Sequence, residues 1–125
     1  MKRLVIDVDD TLTVNDSAPS YADKACREAV AAKLREYKAQ GFEIVLYSSR
    51  NMRTFNGAIG KINVHTLPTL LAWLDRHDIP YDEVIMGKPW CGDEGFYVDD
   101  KTVRPDEFVD MNYSEIRAAL KLGQG

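Results

Sequence analysis

Two aspartates, Asp7 and Asp9, follow the apolar run Leu4-Val5-Ile6 near the start of the chain. That run predicts a short strand, and side chains two positions apart on a strand share a face. Both carboxylates can therefore approach one site where the strand ends. Adjacent carboxylates repel unless a cation or a shared proton relieves them, and Mg²⁺ with oxygen ligands is such a cation. The pair indicates metal-assisted phosphoryl chemistry, with one aspartate as nucleophile and the other transferring protons.

An alternative reading of the same residues stays open at this point. Acidic clusters after short apolar runs also occur as solvated turns and helix caps. The stretch from Asp7 to Leu12 is short, and short motifs match by chance. Within it, we expect Asp10 to stabilise a turn rather than to contact a ligand.

Length and composition predict one globular domain over residues 1–125. The 125 residues are 45% apolar and 29% charged, which is ordinary for a folded domain with its own core. The formal net charge of −4 gives no basic footprint, so we expect no nucleic-acid partner. No apolar run approaches the ~20 residues of a membrane span, and no signal peptide is recognisable. Cys26 and Cys91 form no C-x-x-C motif, and a cytoplasmic location is expected.

Apolar periodicity predicts strands and helices that alternate along the chain. The predicted strands are 3–7, 42–47, 83–86 and 96–99; the predicted helices are 21–40, 66–77 and 114–122. Ser20 and Ser114 are the expected caps of the first and last helix. The polar segments 13–20, which contains Pro19, and 50–65 are expected to be loops. This order predicts an α/β fold, a three-layer Rossmann-like and mostly parallel sheet with helices on both faces.

Polar residues end three of the four predicted strands: Asp7, Ser48 and Asp99. Parallel sheets bind ligands beyond the carboxyl ends of their strands. The coincidence of three such ends favours a catalytic site over independent turns and caps.

Four short polar motifs follow the predicted strands in chain order. They are Asp-x-Asp at 7–9, Ser48, Gly87-Lys88-Pro89 and Asp99-Asp100. The set resembles the four motifs of the haloacid dehalogenase superfamily of phosphohydrolases and spans residues 4–100. Within that superfamily, Ser48-Ser49-Arg50 and the run from Gly87 to Gly92 are similar to small bacterial proteins linked to capsule or surface-polysaccharide biosynthesis.

The resemblance implies a role for each motif in phosphatase chemistry. Asp7 would attack phosphorus and form an aspartyl-phosphate. Asp9 would protonate the leaving alcohol and then deprotonate the water that releases phosphate, which favours a phosphate-ester substrate. Ser48 would hydrogen-bond a phosphoryl oxygen, and Lys88 would neutralise charge between that group and Asp7.

The resemblance also implies a Mg²⁺ cofactor. Its ligands would be Asp7, the backbone carbonyl of Asp9 and the acidic pair, with Asp100 favoured as the direct ligand and Asp99 behind it. Substrate contacts are expected from Ser48, Ser49, Arg50 and Lys88. Arg50 and Arg53 suit phosphate or carboxylate recognition, although a solvated loop explains them equally well. The expected substrate is a sugar phosphate or another small phosphorylated metabolite.

Spacing predicts an enzyme without a cap domain. About thirty residues separate Leu12 from Ile44, and one helix fills most of them. The segment 50–65 leaves room for a lid loop only. An open site of this kind suits a bulky substrate or closure by a neighbouring subunit, so a homo-oligomer gated by loops 13–20 and 50–65 is one hypothesis.

Other functions remain as alternatives. A response-regulator receiver domain has a similar length, an acidic pair and a Lys-Pro, but it needs a phosphoacceptor aspartate after its mid-chain strand. Here Tyr47-Ser48 occupies that position, and residues 48–57 contain no aspartate. A non-catalytic metal-binding scaffold is a further alternative, although every catalytic residue type is present. A phosphomutase would need a cap to exclude water.

Overall fold

The computed structural model describes residues 1–18 and 20–123, so Pro19 of the predicted loop 13–20 lies outside the described residues. Within the described residues the protein is α/β, with one three-stranded parallel sheet and five α-helices. The chain divides into two compact units, Met1–Trp90 and Cys91–Gly125, and each is treated by itself.

The sheet of the first unit confirms three of the predicted strands. They are β1 (Arg3–Asp7), β2 (Glu43–Ser48) and β3 (Glu83–Met86), in the order β1-β2-β3. The register pairs Asp7 with Tyr47 and Ser48 with Met86, so all three strands end at the same edge. Parallel pairing therefore brings the polar residues at these strand ends together.

The helices of the first unit are α1 (Glu28–Ala39), α2 (Ile59–His65) and α3 (Leu67–Arg76). The last matches the helix predicted for 66–77, with Pro68 in its first turn, where a missing N–H costs nothing. Helices and strands share a core of fully buried side chains, among them Leu12, Leu34, Ile44, Leu46, Ile62, Leu70 and Trp73. None of the helices in the described part of the chain is long and apolar enough to cross a membrane.

The predicted helix 21–40 is wrong over its first third, because α1 begins only at Glu28. Tyr21–Asp23 form a single 3₁₀ turn, in which Ser20 Oγ donates to Asp23 Oδ2 at 2.9 Å. The next residues are extended, and Cys26 pairs with Thr13 in an antiparallel bridge instead of lying on a helix. Trp73 Nε1 also donates to the carbonyl of Lys24 at 2.8 Å. Carbonyls engaged by distant donors cannot serve a helix, so tertiary bonds override the local periodicity.

The segment 50–65 is not only a loop, because its second half forms α2. Residues 51–57 are turns, and Asn51 and Asn56 have left-handed φ angles of 61° and 49°. Ile62 is fully buried, which gives the short helix one apolar contact with the core. Polar composition hid this helix from the periodicity argument, since helices this short are stabilised by packing rather than propensity.

The second unit contains α4 (Pro105–Asp110) and α5 (Tyr113–Leu120), and α4 was not predicted. The predicted cap Ser114 is wrong: Asn112 caps α5, with its Oδ1 accepting from the backbone N–H of Glu115 at 2.9 Å. The predicted strand 96–99 is also absent from the described residues. Phe96 and Val98 are 80% and 87% exposed. Asp99 Oδ1 accepts from the backbone N–H of Lys101 at 3.0 Å, a local turn that competes with strand pairing.

Candidate functional site

The carboxylate of Asp7 lies at the end of β1 between two donors. Thr11 Oγ1 donates to Oδ2 at 3.0 Å, and Lys88 Nζ donates to Oδ1 at 3.4 Å. Lys88 reaches this position because its backbone N–H donates to the carbonyl of Ser48, at the end of β2, at 3.0 Å. The Asp7 side chain keeps 33% of its surface exposed, so a ligand can approach it.

Gly87 makes the turn that delivers Lys88 from the end of β3. Its φ is +90°, a conformation that residues with a Cβ rarely adopt. A Cβ at this position would lie only 2.8 Å from Ile59 Cδ1. The glycine is therefore required both by the backbone conformation and by the close approach of α2.

Burial raises the pKa of Asp7 above its ordinary value, and it is the largest influence on that group. The charge of Lys88 opposes it most strongly, the hydrogen bonds from Thr11 and Lys88 also lower the pKa, and the charge of Asp9 raises it. One ammonium group thus compensates only part of the cost of holding this carboxylate away from water. The site favours a further positive charge beside Asp7.

Asp9 is held by Arg50, the third residue of the Ser-Ser-Arg run after β2. Arg50 Nη2 donates to Asp9 Oδ1 at 2.8 Å, and Nε lies 3.2 Å from the same oxygen and 3.4 Å from Oδ2. The Arg50 side chain is fully buried, whereas that of Asp9 is 30% exposed. This two-donor contact fixes the orientation of the Asp9 carboxylate and leaves part of it open to solvent.

The guanidinium of Arg50 is enclosed by the ring of Tyr21, whose centroid lies 4.2 Å from Cζ. Arg50 Nη1 is buried and has no hydrogen-bond partner among the described residues. Burying an unpaired donor costs free energy, so the environment of Arg50 is not fully satisfied. The contacts with Asp9 and Tyr21 hold the guanidinium in place. The predicted direct substrate contact from Arg50 stays a prediction; its observed partner is Asp9.

Ser48 is fully buried, and its Oγ accepts from the backbone N–H of Arg50 at 3.0 Å. This bond folds the chain sharply after β2 and directs Arg50 towards Asp9. The predicted contact of Ser48 with a phosphoryl oxygen stays a prediction. Ser49, the next residue, lines a cavity beside Asp9.

The turn after β1 sets the spacing between Asp7 and Asp9. The carbonyl of Val8 accepts from the backbone N–H groups of Thr11, Leu12 and Thr13 at 2.8 to 3.3 Å. Asp10 lies in this turn with φ +62°, and its N–H donates to Thr13 Oγ1 at 3.0 Å. The carbonyl of Asp9 receives no hydrogen bond from the part of the chain that the structure describes. A carboxylate at Asp7 and a free carbonyl at Asp9 are hard oxygen donors that fit Mg²⁺.

Those two oxygens do not by themselves complete a metal site. Within residues 1–18 and 20–90, no three histidine, cysteine or acidic side chains are gathered into one group. The remaining predicted ligands, Asp99 and Asp100, belong to the second unit. There a hydrogen bond from the Lys101 backbone, followed by one from Asp100, lowers the pKa of Asp99. Their assignment as metal ligands stays a prediction.

Two contributors to the site were not predicted. Thr11 donates a hydrogen bond to Asp7. The sequence could have indicated this contact, because Thr11 is a hydroxyl residue four positions after the aspartate, in the turn that follows β1. Tyr21 covers Arg50, and nothing local in the sequence marks it, because the contact depends on how residues 21–27 pack. Asp7, Asp9, Ser48, Arg50 and Lys88 are all brought to one edge of the sheet.

A cavity of about 400 Å³ opens beside Asp9. Its lining includes Asp10, Tyr21, Lys24, Arg53 and Trp90. The guanidinium of Arg53 lies over the Trp90 indole, with 5.7 Å between Cζ and the ring centroid. The cavity is therefore both aromatic and charged.

Comparison with known proteins gives a family but no activity. No protein-family model matches the chain, and no curated protein matches it. A crystal structure of an MCSG target protein from Vibrio cholerae is 51% identical, with a TM-score of 0.93 over 97% of this chain and 98% of its own. The chain belongs to the same family as that Vibrio protein. The shared family covers both units of the chain.

A second solved structure shows a likeness in fold alone. It is a chain of a Pnkp1/Rnl/Hen1 complex, 22% identical, with a TM-score of 0.53. The match covers 88% of this chain but only 34% of that one. It supports the α/β arrangement and carries no statement about activity.

Proposed function

We propose that this protein is a Mg²⁺-dependent phosphomonoester hydrolase of the haloacid dehalogenase superfamily that acts through an aspartyl-phosphate at Asp7. The observation that carries the proposal is the setting of the Asp7 carboxylate. It is half-buried at the end of a parallel strand, 3.4 Å from Lys88 Nζ and 3.0 Å from Thr11 Oγ1. A buried carboxylate with one ammonium partner is suited to approach a phosphoryl group, whose negative charge needs cations around it.

In the first half-reaction, an Asp7 oxygen attacks phosphorus opposite the ester oxygen. The Asp7 O–P bond forms as the ester O–P bond breaks, and the leaving oxygen takes a proton from Asp9. Lys88 Nζ, already on Asp7 Oδ1, stays beside the transferred group and offsets its charge. Thr11 holds Oδ2, so that the carboxylate does not rotate away during attack.

In the second half-reaction, Asp9 takes a proton from the water that attacks the aspartyl-phosphate. The phosphate leaves, and the Asp7 carboxylate is restored. Arg50 positions Asp9 for both steps through its contacts at 2.8 and 3.2 Å. The exposed 30% of the Asp9 side chain leaves its carboxyl group accessible to the leaving oxygen in the first step and to the attacking water in the second.

The Asp7 carboxylate and the Asp9 carbonyl would hold Mg²⁺, and Asp99 and Asp100 remain the further ligands proposed from the sequence. Mg²⁺ would neutralise phosphoryl oxygens and relieve the repulsion between nucleophile and substrate. The same proposal includes a three-layer, cap-free architecture, a sugar phosphate or similar small metabolite as substrate, and a cytoplasmic location.

The direct test is release of phosphate from p-nitrophenyl phosphate, with and without Mg²⁺. We expect Asp7→Asn to lower kcat by about 10³-fold or more, as loss of a covalent nucleophile does. Asp78→Asn is the matched control, because Asp78 is exposed and its φ of 55° suits asparagine. Equal activity in the wild type and Asp7→Asn would refute the mechanism. A protein that becomes phosphorylated but does not release the phosphate would favour the receiver alternative.

A further inference from the structure

Of the residues that line the cavity beside Asp9, only Asp9 and Arg50 act in the steps above. Those steps use the Asp9 carboxylate at its edge, whereas the cavity of about 400 Å³ extends past Tyr21 and Lys24 to Arg53 and Trp90. Since Asp9 is the proposed proton donor to the leaving oxygen, the rest of the leaving group must lie close to Asp9. This cavity is therefore the space next to the proposed position of the leaving group.

Two aromatic side chains form part of its wall and remain open to solvent. Trp90 is 44% exposed and Tyr21 is 38% exposed. Arg50 covers one face of the tyrosine at 4.2 Å. Exposed aromatic faces inside a cavity offer apolar contact to a ring, while polar groups around them set its orientation.

The three cations of the cavity wall differ in their partners. Arg50 is neutralised by Asp9 at 2.8 Å. Lys24 is bound to Asp16, with Nζ 3.4 Å from Oδ1 and 3.0 Å from the backbone carbonyl. Arg53 is exposed, and its guanidinium lies over the indole of Trp90. Within residues 1–18 and 20–123 its side chain forms no hydrogen bond or ion pair. Of the three, Arg53 is the one with its charge available to a ligand.

The acidic side of the cavity limits how much negative charge a ligand can carry. Asp10 lines the same space and would repel an anionic group placed close to it. A ligand ring with neutral hydroxyl groups near Asp10 and one acidic group directed at Arg53 suits both the acidic and the cationic side of the cavity. The planar guanidinium matches the two oxygens of a carboxylate or phosphate.

We propose that this cavity binds the leaving group and that Arg53, supported by Trp90, selects a sugar ring carrying a second anionic group, either a carboxylate or a phosphate. The inference rests on the proposed phosphatase function for its account of where the leaving group lies. It goes further by naming the substrate class and the residue that recognises it.

The test compares three substrates that share one ring: glucose 1-phosphate, glucuronic acid 1-phosphate and glucose 1,6-bisphosphate. We expect kcat/KM for one or both substrates with a second anionic group to exceed that for glucose 1-phosphate by about tenfold. That is the effect of one charged hydrogen-bonded contact. Preference for the carboxylate or for the phosphate identifies the source of the second charge. Arg53→Gln should bring the ratio close to one, and Arg53→Lys should retain part of it.

Arg3→Gln is the matched control, because Arg3 is a 43% exposed arginine at the amino end of β1, paired with Glu43 at 3.2 Å. It should keep the wild-type preference. Equal kcat/KM for all three substrates, or a preference that survives Arg53→Gln, would overturn the proposal.

Calorimetric titration separates this proposal from the phosphatase proposal. The wild type and the Asp7→Asn variant are titrated with glucose 1-phosphate and glucuronic acid 1-phosphate. One outcome is that no substrate is hydrolysed, that glucuronic acid 1-phosphate binds more tightly than glucose 1-phosphate, and that Arg53→Gln removes this difference. In that case the cavity assignment stands and the phosphatase mechanism fails. If there is neither hydrolysis nor a difference in Kd, both are refuted.

Discussion

Truncating Asp9 and Arg50 should have unequal effects on stability, although the two side chains form one ion pair. The Arg50 side chain is fully buried, while that of Asp9 is 30% exposed. Asp9→Ala leaves a buried guanidinium with no carboxylate, and Nη1 already has no hydrogen-bond partner in the described part of the chain. Arg50→Met removes the buried charge, keeps a side chain of similar length and leaves Asp9 able to reach water.

The burial of the two side chains ranks the two effects, and the general cost of breaking a buried ion pair sets their approximate size. Removing one partner of a buried pair costs about 3–5 kcal/mol, and we expect Asp9→Ala at the lower end, about 3 kcal/mol, because Asp9 is partly solvated. That value is roughly a 150-fold change in the folding equilibrium. Arg50→Met should cost about 1 kcal/mol, mainly the lost contact with Tyr21, because it also removes the desolvation cost of the guanidinium.

The assay is urea unfolding of both single variants and of the double variant at neutral pH. The double variant should be more stable than Asp9→Ala alone, since Arg50→Met removes the stranded charge. Glu43→Ala is the control, because Glu43 and Arg3 form an ion pair with both side chains exposed and should contribute less than about 1 kcal/mol. If Asp9→Ala costs no more than Glu43→Ala, the buried pair is not the stabilising contact described here.

Three further outcomes are expected. Because burial raises the pKa of Asp7 above its ordinary value of 3.8, its proton stabilises the fold at low pH, and this contribution is lost as pH rises through the raised pKa. The stability of Asp7→Asn relative to that of the wild type should therefore increase as the pH rises from 3.5 to 7 in metal-free buffer. A difference in urea midpoint that stays constant over this range would contradict the prediction. Thr11→Val should lower kcat by about tenfold with a small effect on KM, as loss of one orienting hydrogen bond does. Gly87→Ala should destabilise by about 1–3 kcal/mol in thermal unfolding, because a residue with a Cβ is strained at φ +90° and its Cβ would also contact Ile59. A neutral effect would refute the strained turn.

The three strands of the sheet, and the polar residues Asp7 and Ser48 at the ends of two of them, could be predicted from the sequence. Apolar runs bounded by polar residues give β1, β2 and β3, and parallel pairing then requires Asp7 and Ser48 to share an edge. Lys88 follows for the same reason, since it comes just after β3. Each of these inferences depends on spacing along the chain and on pairing between neighbouring strands.

The contacts that complete the site depend on packing between distant segments. The start of α1 is set by tertiary hydrogen bonds, such as that from Trp73 to the Lys24 carbonyl at 2.8 Å. Arg50 reaches Asp9 through a long side chain whose direction is fixed by the Ser48 turn and by Tyr21. Periodicity contains no information about such contacts, because it describes one segment at a time.

The central claim is that Asp7 becomes covalently phosphorylated, and chemical trapping of that bond tests it most directly. The protein is mixed with Mg²⁺ and p-nitrophenyl phosphate, quenched during turnover and treated with borohydride, which reduces an acyl phosphate to the alcohol. Peptide mass spectrometry then locates any aspartate converted to homoserine. We predict conversion at residue 7 and none in the Asp7→Asn variant. Turnover without conversion at Asp7, or conversion at Asp9 or Asp10 instead, would contradict the account.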